Sequence, residues 1–488
     1  MATEWRELPL EQCMDAIIDY RGKTPKKTSS GIPLVTAKII KNGSIQAITE
    51  FIAGSDYDSW MRRGLPLPGD VVMTTEAPLG EVAQLDGRKV ALAQRVITLR
   101  GKKDLLDNTF LKYLMISDYV QHQLDGRATG TTVKGIKQSE LRKIFLKFPS
   151  IDDQRAIAEV LGSLDGKLEL NRQINATLES MAQAMFKSWF VDFDPVIDNA
   201  LAAGNPIPEP LQARAEKRTA LLAAASAANT RSASATDNAH PTQTAPHTQP
   251  GTTPPATPLQ PLPADIRALF PDSFVFNEEM GWVPEGWSGI PVDVALQINP
   301  KVTLRKGSEA AFVDMKALPT SGFGISDVIQ KSYSGGAKFQ QGDVLFARIT
   351  PCLENGKTGL VDFLPDDEVG FGSTEFIVMR GRGALKSAFV ACLARLDSFR
   401  AHCQLGMVGS SGRQRVQNSS FSNYFLALPT DEMILTRFDQ MASPLFRRMS
   451  VAKMESVSLG GLRDTLLPKL LSGQIQLHET EMMVAEAL

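Results

Sequence analysis

Apolar residues recur through residues 152–190 at Ile157, Leu161, Leu164, Leu168, Ile174, Leu178, Met181 and Met185, close to the period of a helix. Asp152 and Asp153 stand at the start, where carboxylates cap free N–H groups and meet the positive end of the helix dipole. No proline intervenes before Pro195. The pattern predicts one helix, roughly 58 Å long at ~1.5 Å per residue. Its length and narrow apolar seam favour a coiled-coil-like arrangement. Asn171 or Asn175 fixes the register if it lies on that seam rather than in solvent. A second seam runs through Phe438, Met441, Leu445, Leu459, Leu462 and Leu466. There Pro444 and Gly460-Gly461 predict a kinked or divided helix, because an interior proline costs ~3 kcal/mol and each glycine ~1.

Residues 1–150 and 287–429 follow a different pattern. Short β-rich runs at 32–40, 70–73, 90–98, 343–349 and 375–379 are punctuated by Asn42-Gly43, Pro68-Gly69, Asp86-Gly87 and Asn355-Gly356. Each region holds one helical stretch, 108–123 and 386–402, so both read as α+β domains. Between the helix and the second domain, residues 222–263 are mostly Ala, Ser, Thr and Pro without an aromatic residue. Such a segment cannot bury enough apolar surface to offset its ordering entropy, and reads as a tether.

The two halves echo each other. GTTVKGIKQSELRKIFLKFP (130–149) matches SSGRQRVQNSSFSNYFLALP (410–429) at an offset of 280. GDVVMTTEAPLG (69–80) matches GDVLFARITPCLENG (342–356) at 273, and Trp5 matches Trp287 at 282. A period this long is a duplicated domain-plus-helix module rather than a solenoid. A pseudo-dimer of this kind suits a target with two separated half-sites.

Charge refines the picture. The whole chain carries a formal net charge of −2, so nucleic acid, if bound, must meet local patches. Residues 1–150 hold 22 Lys+Arg against 17 Asp+Glu, and residues 287–429 hold 15 against 12, so both globular parts are mildly basic. Cys13, Cys352, Cys392 and Cys403 form no CxxC pair and read as reduced thiols of a cytoplasmic protein. The N-terminus lacks the apolar run of a signal peptide, and no stretch approaches the ~20 apolar residues that span a bilayer.

Catalytic motifs are wanting. PCLENGKT (351–358) has Pro351 where a phosphate-binding loop needs glycine. VGFGST (369–374) and GFGIS (322–326) lack dinucleotide spacing, and Asp343, Glu354 and Lys357 are not spaced as a nuclease site. With five histidines, His122, His240, His247, His402 and His478, and no H-E-x-x-H or G-x-S-x-G, the chain reads as a binding protein without catalytic, cofactor or metal residues.

Four stretches resemble the specificity subunits of type I restriction–modification systems. They are residues 150–195, ending in WFVDFDP; RITPCLENGKTGLV with GFGSTEFIVMR (348–361, 370–380); ALFPDSF with GWVPEGW (268–274, 281–287); and LLPKLLSGQI (466–475). The resemblance implies two similar target-recognition domains, 1–150 and 265–429, separated by long antiparallel helices in a pseudo-twofold arrangement. It places spacer 1 at 151–199 and spacer 2 at 430–475, with a C-terminal tail at 476–488; the long Ala/Pro/Thr linker at 200–264 and the weak helical signal around Pro444 depart from the family's pattern. It further implies a bipartite double-stranded DNA target and a spacer that acts as a ruler between half-sites. Two modification (methyltransferase) subunits would bring S-adenosylmethionine, and restriction subunits would bring ATP and Mg. A stand-alone DNA-binding or anti-restriction module, or an unrecognised nuclease, are the competing readings.

Base reading needs paired donors or acceptors. The candidates in the first domain are Lys23, Thr24, Lys26, Thr74, Thr75, Arg127, Thr129, Thr131, Thr132 and Lys134. Those in the second are Lys301, Arg305, Arg348, Thr350, Lys357, Ser410, Ser411, Arg413, Gln414 and Arg415. Spacer packing is expected from Leu161, Leu164, Leu168, Leu178, Met185, Phe438, Met441, Leu445, Leu462 and Leu466.

Overall fold

A computed structural model describes residues 5–20, 24–233, 262–410, 412–475 and 477–487. The chain is α+β and divides into two units. Unit 1 comprises the described residues of Met1–Leu170 and Glu455–Leu488; unit 2 comprises those of Asn171–Pro246 and Thr253–Met454.

Unit 1 is built on an antiparallel four-stranded sheet in the order Met14–Asp19, Val96–Gly101, Val71–Thr75, Leu79–Gln84. A second sheet, with Ala91–Leu92 parallel to Ile32–Val35, shares an apolar cluster with it, to which the first sheet gives Ile18, Val72, Ala83 and Val96. Unit 2 repeats this plan with Gln297–Ile298, Phe376–Arg380, Val344–Ala347 and Thr358–Leu360, and again a second sheet containing one parallel pair. Each unit ties its entry strand to its exit strand: Arg6–Pro9 pairs antiparallel with Phe145–Phe148, and Trp287–Pro291 with Phe425–Pro429.

The duplication reaches individual atoms. Asp70 accepts two hydrogen bonds from the Arg100 guanidinium at 2.8 Å, and its offset partner Asp343 accepts two from Arg380 at 2.6 and 2.7 Å. Both aspartates are fully buried, and each also accepts from the backbone N–H three residues before it, Leu67 or Gln340. A charge taken out of water needs this much compensation. Gly69 and Gly342 turn the chain into these strands at φ +85° and +83°, a region closed to most side chains.

The single helical stretch expected in each domain is two helices. Asn108–Ile116 and Asp118–Arg127 part at Ser117, and Ser387–Arg395 and Asp397–Leu405 part at Leu396. Ser117 and Leu396 both have extended backbone, and each is followed by an aspartate in the first turn of the next helix. Periodicity alone does not register a one-residue break.

The long helix Ile151–Phe190 has 40 residues. Ile157, Leu161 and Leu164 are buried in the core of unit 1, with Leu168 partly buried against it. Ala182, Met185, Phe186, Trp189 and Phe190 are buried in unit 2, with Leu178 at the edge. The second long helix, Met433–Ser472, also has 40 residues and is undivided, against the expectation of a break. Pro444 is solvent-exposed. Its cost is offset by apolar neighbours: Phe438, Ala442 and Phe446 are buried, with Met441 and Leu445 packed beside them. In unit 1 the same helix contributes Leu459, Leu466, Leu470 and Leu471, with Leu462 partly buried. There the two helices run antiparallel, since Asp165 meets Arg463 at 3.2 Å while Lys167 meets Glu455 at 3.0 Å.

Two segment boundaries need correction. The linker expected at 200–264, with its tether from 222, begins as helix: Asp194–Ala203 and Glu209–Ala233 are both helical. The reason is composition, because Ala, Leu, Arg, Lys and Glu are strong helix formers. Arg214 and Arg218 also bind Asp194 and Asp198 through paired hydrogen bonds, the second pair almost fully buried. The stretch 234–261, including His240 and His247, lies outside the described residues. The tail expected at 476–488 contains the helix Leu477–Ala487, whose Val484 joins the core of unit 1. Among the described residues, no helix is long and apolar enough to cross a membrane.

Candidate nucleic-acid interface

In unit 1 the strand Val71–Thr75 runs into Glu76, whose carboxylate meets the Arg95 guanidinium at 2.5 Å. The loop 129–135 closes beside it. Thr129 and Gly135 exchange backbone hydrogen bonds at 2.8 and 2.9 Å, and Gly135 bridges to Glu76. Thr129, Thr131, Thr132 and Lys134 are exposed on this loop, together with the apolar Val133. Lys134 reaches Asp125 at 3.1 Å, and Arg127 reaches Glu140 at 3.4 Å. Surface pairs of this kind are worth ~0–1 kcal/mol and release their cations readily.

Unit 2 has the matching corner. Met407–Val408 pairs with Arg415–Val416, closing the loop 409–414, where Ser410 and Arg413 are exposed. Arg415 donates three hydrogen bonds to Glu375 at 2.7–3.0 Å. The Arg415 guanidinium, with Arg348 close by, holds the Glu375 carboxyl below the usual range, against a smaller opposing effect of burial. Arg348 donates to the Val416 carbonyl at 3.3 Å, while its Nε is buried without a partner among the described residues. The Gln414 N–H donates to the Thr350 hydroxyl oxygen at 3.2 Å.

The remaining candidates divide by exposure. Thr24, which accepts from Gln94, and Lys26 are exposed in unit 1, as are Lys301 and Arg305 in unit 2. Lys23 and Ser411 lie outside the described residues. Three expectations are corrected by burial. Thr74 and Thr75 are 0% and 5% exposed, inside a strand, and Thr74 accepts from the Glu81 N–H. Thr350 is also buried. Lys357 is a structural cation, its ammonium donating to the carbonyls of Met315, Lys316 and Leu318 at 2.9–3.3 Å. The sequence could not separate these from surface positions because hydroxyls and lysines look alike whether they face solvent or a turn.

Sequence reading passed over Arg95 and Glu375, which oppose candidates only through strand pairing. It also passed over a shallow groove of about 560 Å³ in unit 1, lined by Asp19, Arg63, Lys137 and neighbours. The internal offset was the usable signal, since 95 and 375 differ by the same 280 residues as the loops.

Three of the four thiols, Cys13, Cys392 and Cys403, are buried. Burial pushes Cys13 up to about 11 and Cys403 up to about 12, and raises Cys392 as well, so these sulfurs stay protonated. No group of three or more His, Cys, Asp or Glu among the described residues is placed to hold a metal ion.

Comparison with known proteins adds family information. Residues 14–180 match the model of the type I restriction modification DNA specificity domain. The type I restriction enzyme HindI specificity subunit of Haemophilus influenzae is 26% identical over 388 residues, covering 75% of this chain and 77% of that protein. The MjaIX specificity subunit of Methanocaldococcus jannaschii is 21% identical over 432 residues, covering 84% and 78%. A crystal structure of the type I restriction–modification S subunit from M. genitalium matches in fold, with a TM-score of 0.51 at 13% identity over 96% of both chains.

Proposed function

We propose, from the premise that the chain belongs to the type I restriction–modification DNA specificity family, that each unit reads one half of a bipartite double-stranded DNA target. The chain is the sequence-reading, non-catalytic part of its complex. Two modification subunits would dock on it and methylate adenine with S-adenosylmethionine. Restriction subunits would add ATP- and Mg-dependent cleavage, all in the cytoplasm.

One observation carries the reading. The same backbone corner, with a loop at 129–135 and at 409–414 that is exposed at Thr131, Thr132 and Lys134 and at Ser410 and Arg413, occurs once in each unit and carries different polar residues in the two. A duplicated scaffold with divergent loop chemistry is what two unlike half-sites require. Phosphate contact is assigned to the exposed cations Lys26, Lys134, Lys301, Arg305 and Arg413, which fix position without reading sequence. Base contact is assigned to the corner residues.

The test is methylation mapping. The full chain, expressed with its modification subunits, should methylate a two-part motif with an unspecific gap. A contiguous motif, or none, would overturn the proposal. The chain alone, given Mg²⁺ and S-adenosylmethionine, should leave DNA uncut and unmethylated.

A further inference from the structure

The same backbone hydrogen bonds recur within each corner. Thr75 N–H donates to the Arg95 carbonyl at 2.9 Å, and Arg348 N–H to the Glu375 carbonyl at 3.0 Å. Ile136 N–H donates to the Thr75 carbonyl at 3.0 Å, and Val416 N–H to the Arg348 carbonyl at 2.9 Å. Glu76 bridges to Gly135 as Ile349 bridges to Arg415. Four structural equivalences follow: Thr75 with Arg348, Glu76 with Ile349, Arg95 with Glu375, and Gly135 with Arg415.

The backbone is held constant while the chemistry is not. Arg95 and Glu375 occupy one position with opposite charge. Each forms an ion pair, but the partner comes from a different place: Glu76, at the end of the neighbouring strand, in unit 1, and Arg415, across the loop, in unit 2. Were these pairs mere braces, one arrangement would have served both copies. In unit 1 a side chain at Gly135 would meet the Glu76 Cβ at 3.2 Å, so any larger residue there would crowd Glu76 and shift it by a few tenths of an ångström. The two solutions are therefore alternatives within a single frame.

We propose that this four-residue corner determines which bases each unit reads. The inference rests on the functional reading above. In unit 2 the Arg415 guanidinium pairs with the Glu375 carboxylate, and the Arg348 guanidinium lies close enough to act on its charge. Glu375 takes up the Nε and Nη2 donors of Arg415 and so acts as a positioning residue. Arg348 is half-buried, with its Nε enclosed and its Nη2 donating once to the Val416 carbonyl, so the donors left to it for a base are the Nη1 group and the second hydrogen of Nη2. Paired N–H donors match the O6 and N7 acceptors of guanine in the major groove. In unit 1 the only carboxylate of the corner, Glu76, is an acceptor suited to the amino group of cytosine, with Arg95 setting its orientation. The second half-site thus contains a guanine read by Arg348, and the first a cytosine read by Glu76.

The experiment uses the full chain with its modification subunits and maps methylated sites in a pool of random duplexes. Two variants are compared with the parent. One moves the unit 1 corner into unit 2 (Arg348→Thr, Ile349→Glu, Glu375→Arg, Arg415→Gly). The other is Arg348→Lys, which keeps the charge but loses the two-pronged contact. Both should lose guanine preference at one position of the second half-site by about five- to 150-fold, with the first half-site unchanged. A bracing role would weaken every sequence alike and leave base identity untouched. An unaltered motif, or uniform weakening in a folded variant, would overturn the inference. Should the fourfold variant fail to fold, Arg348→Lys decides. A parent complex with no two-part motif would overturn the functional reading itself, and this inference with it.

Discussion

Lys301 and Lys357 bear the same charge in the same domain, and burial gives them separate tasks. Lys301 is exposed and makes no ion pair among the described residues, whereas the ammonium of Lys357 is spent on three carbonyls of the turn near Met315. Lys301→Ala should therefore weaken binding to all DNA sequences and lower the slope of log K against log salt by about one. Its thermal midpoint should not move. Lys357→Ala should do the reverse. It removes charged hydrogen bonds and strands their acceptors, at about 1.5–3 kcal/mol, while the salt slope stays as it was. Filter binding at several salt concentrations, alongside thermal melts, separates the two. If Lys357→Ala flattens the slope and leaves stability alone, the lysine faces phosphate and the structural assignment is wrong.

The long helices show how sequence legibility depends on what kind of force fixes an element. Ile151–Phe190 could be read because its seam is local and repeats with the helical period. Met433–Ser472 was obscured, because Pro444 and Gly460-Gly461 speak against a helix whose tertiary packing outweighs them. Pro444→Ala should accordingly stabilise unit 2, by up to about 3 kcal/mol, with a higher denaturant midpoint as the readout. A neutral or lower midpoint would mean that the ring contributes packing of its own. The corner was legible only as polar loops. Glu375 and Arg415 are 40 residues apart and meet through strand pairing, which no local pattern encodes.

Acid should act on the helix pair through Asp165. Burial raises its carboxyl, but the Lys112 ammonium, the Tyr113 hydroxyl and the Arg463 guanidinium together hold it below the ordinary range. A depressed native value means that the unfolded chain takes up its proton first on acidification. The contribution is whole above the unfolded value of about 3.9 and is lost as pH falls through the native one. Asp165→Asn should thus lower stability at neutral pH and flatten the acid limb of a stability profile. An acid limb identical to the parent's would place the titrating group elsewhere.

Unit 1 closes its core with chain from both ends of the sequence. Unit 1 draws on Glu455–Leu488 as well as on Met1–Leu170. From the later segment Leu459, Leu466, Leu470, Leu471 and Val484 are all buried among residues such as Leu111, Leu161 and Leu164. Truncating any one buried leucine costs about 2–5 kcal/mol, and a domain's whole stability is about 5–15 kcal/mol. Removal of residues 455–488 therefore exceeds what unit 1 can lose, although more than 300 residues separate Leu161 from Leu466. Unit 2 keeps its own core, in which Phe186, Trp189 and Phe190 pack on Phe438 at ring separations of 5.2–6.1 Å. A chain ending at Met454 should show rapid amide exchange throughout residues 5–170 and native protection in the sheet around Phe376–Arg380. Protection retained in Val71–Thr75 and Val96–Gly101 would show that the first recognition fold stands without the C-terminal segment. Loss of protection in both units would show that the two cores fold as one, and the division of the chain into separate readers would fail on thermodynamic grounds.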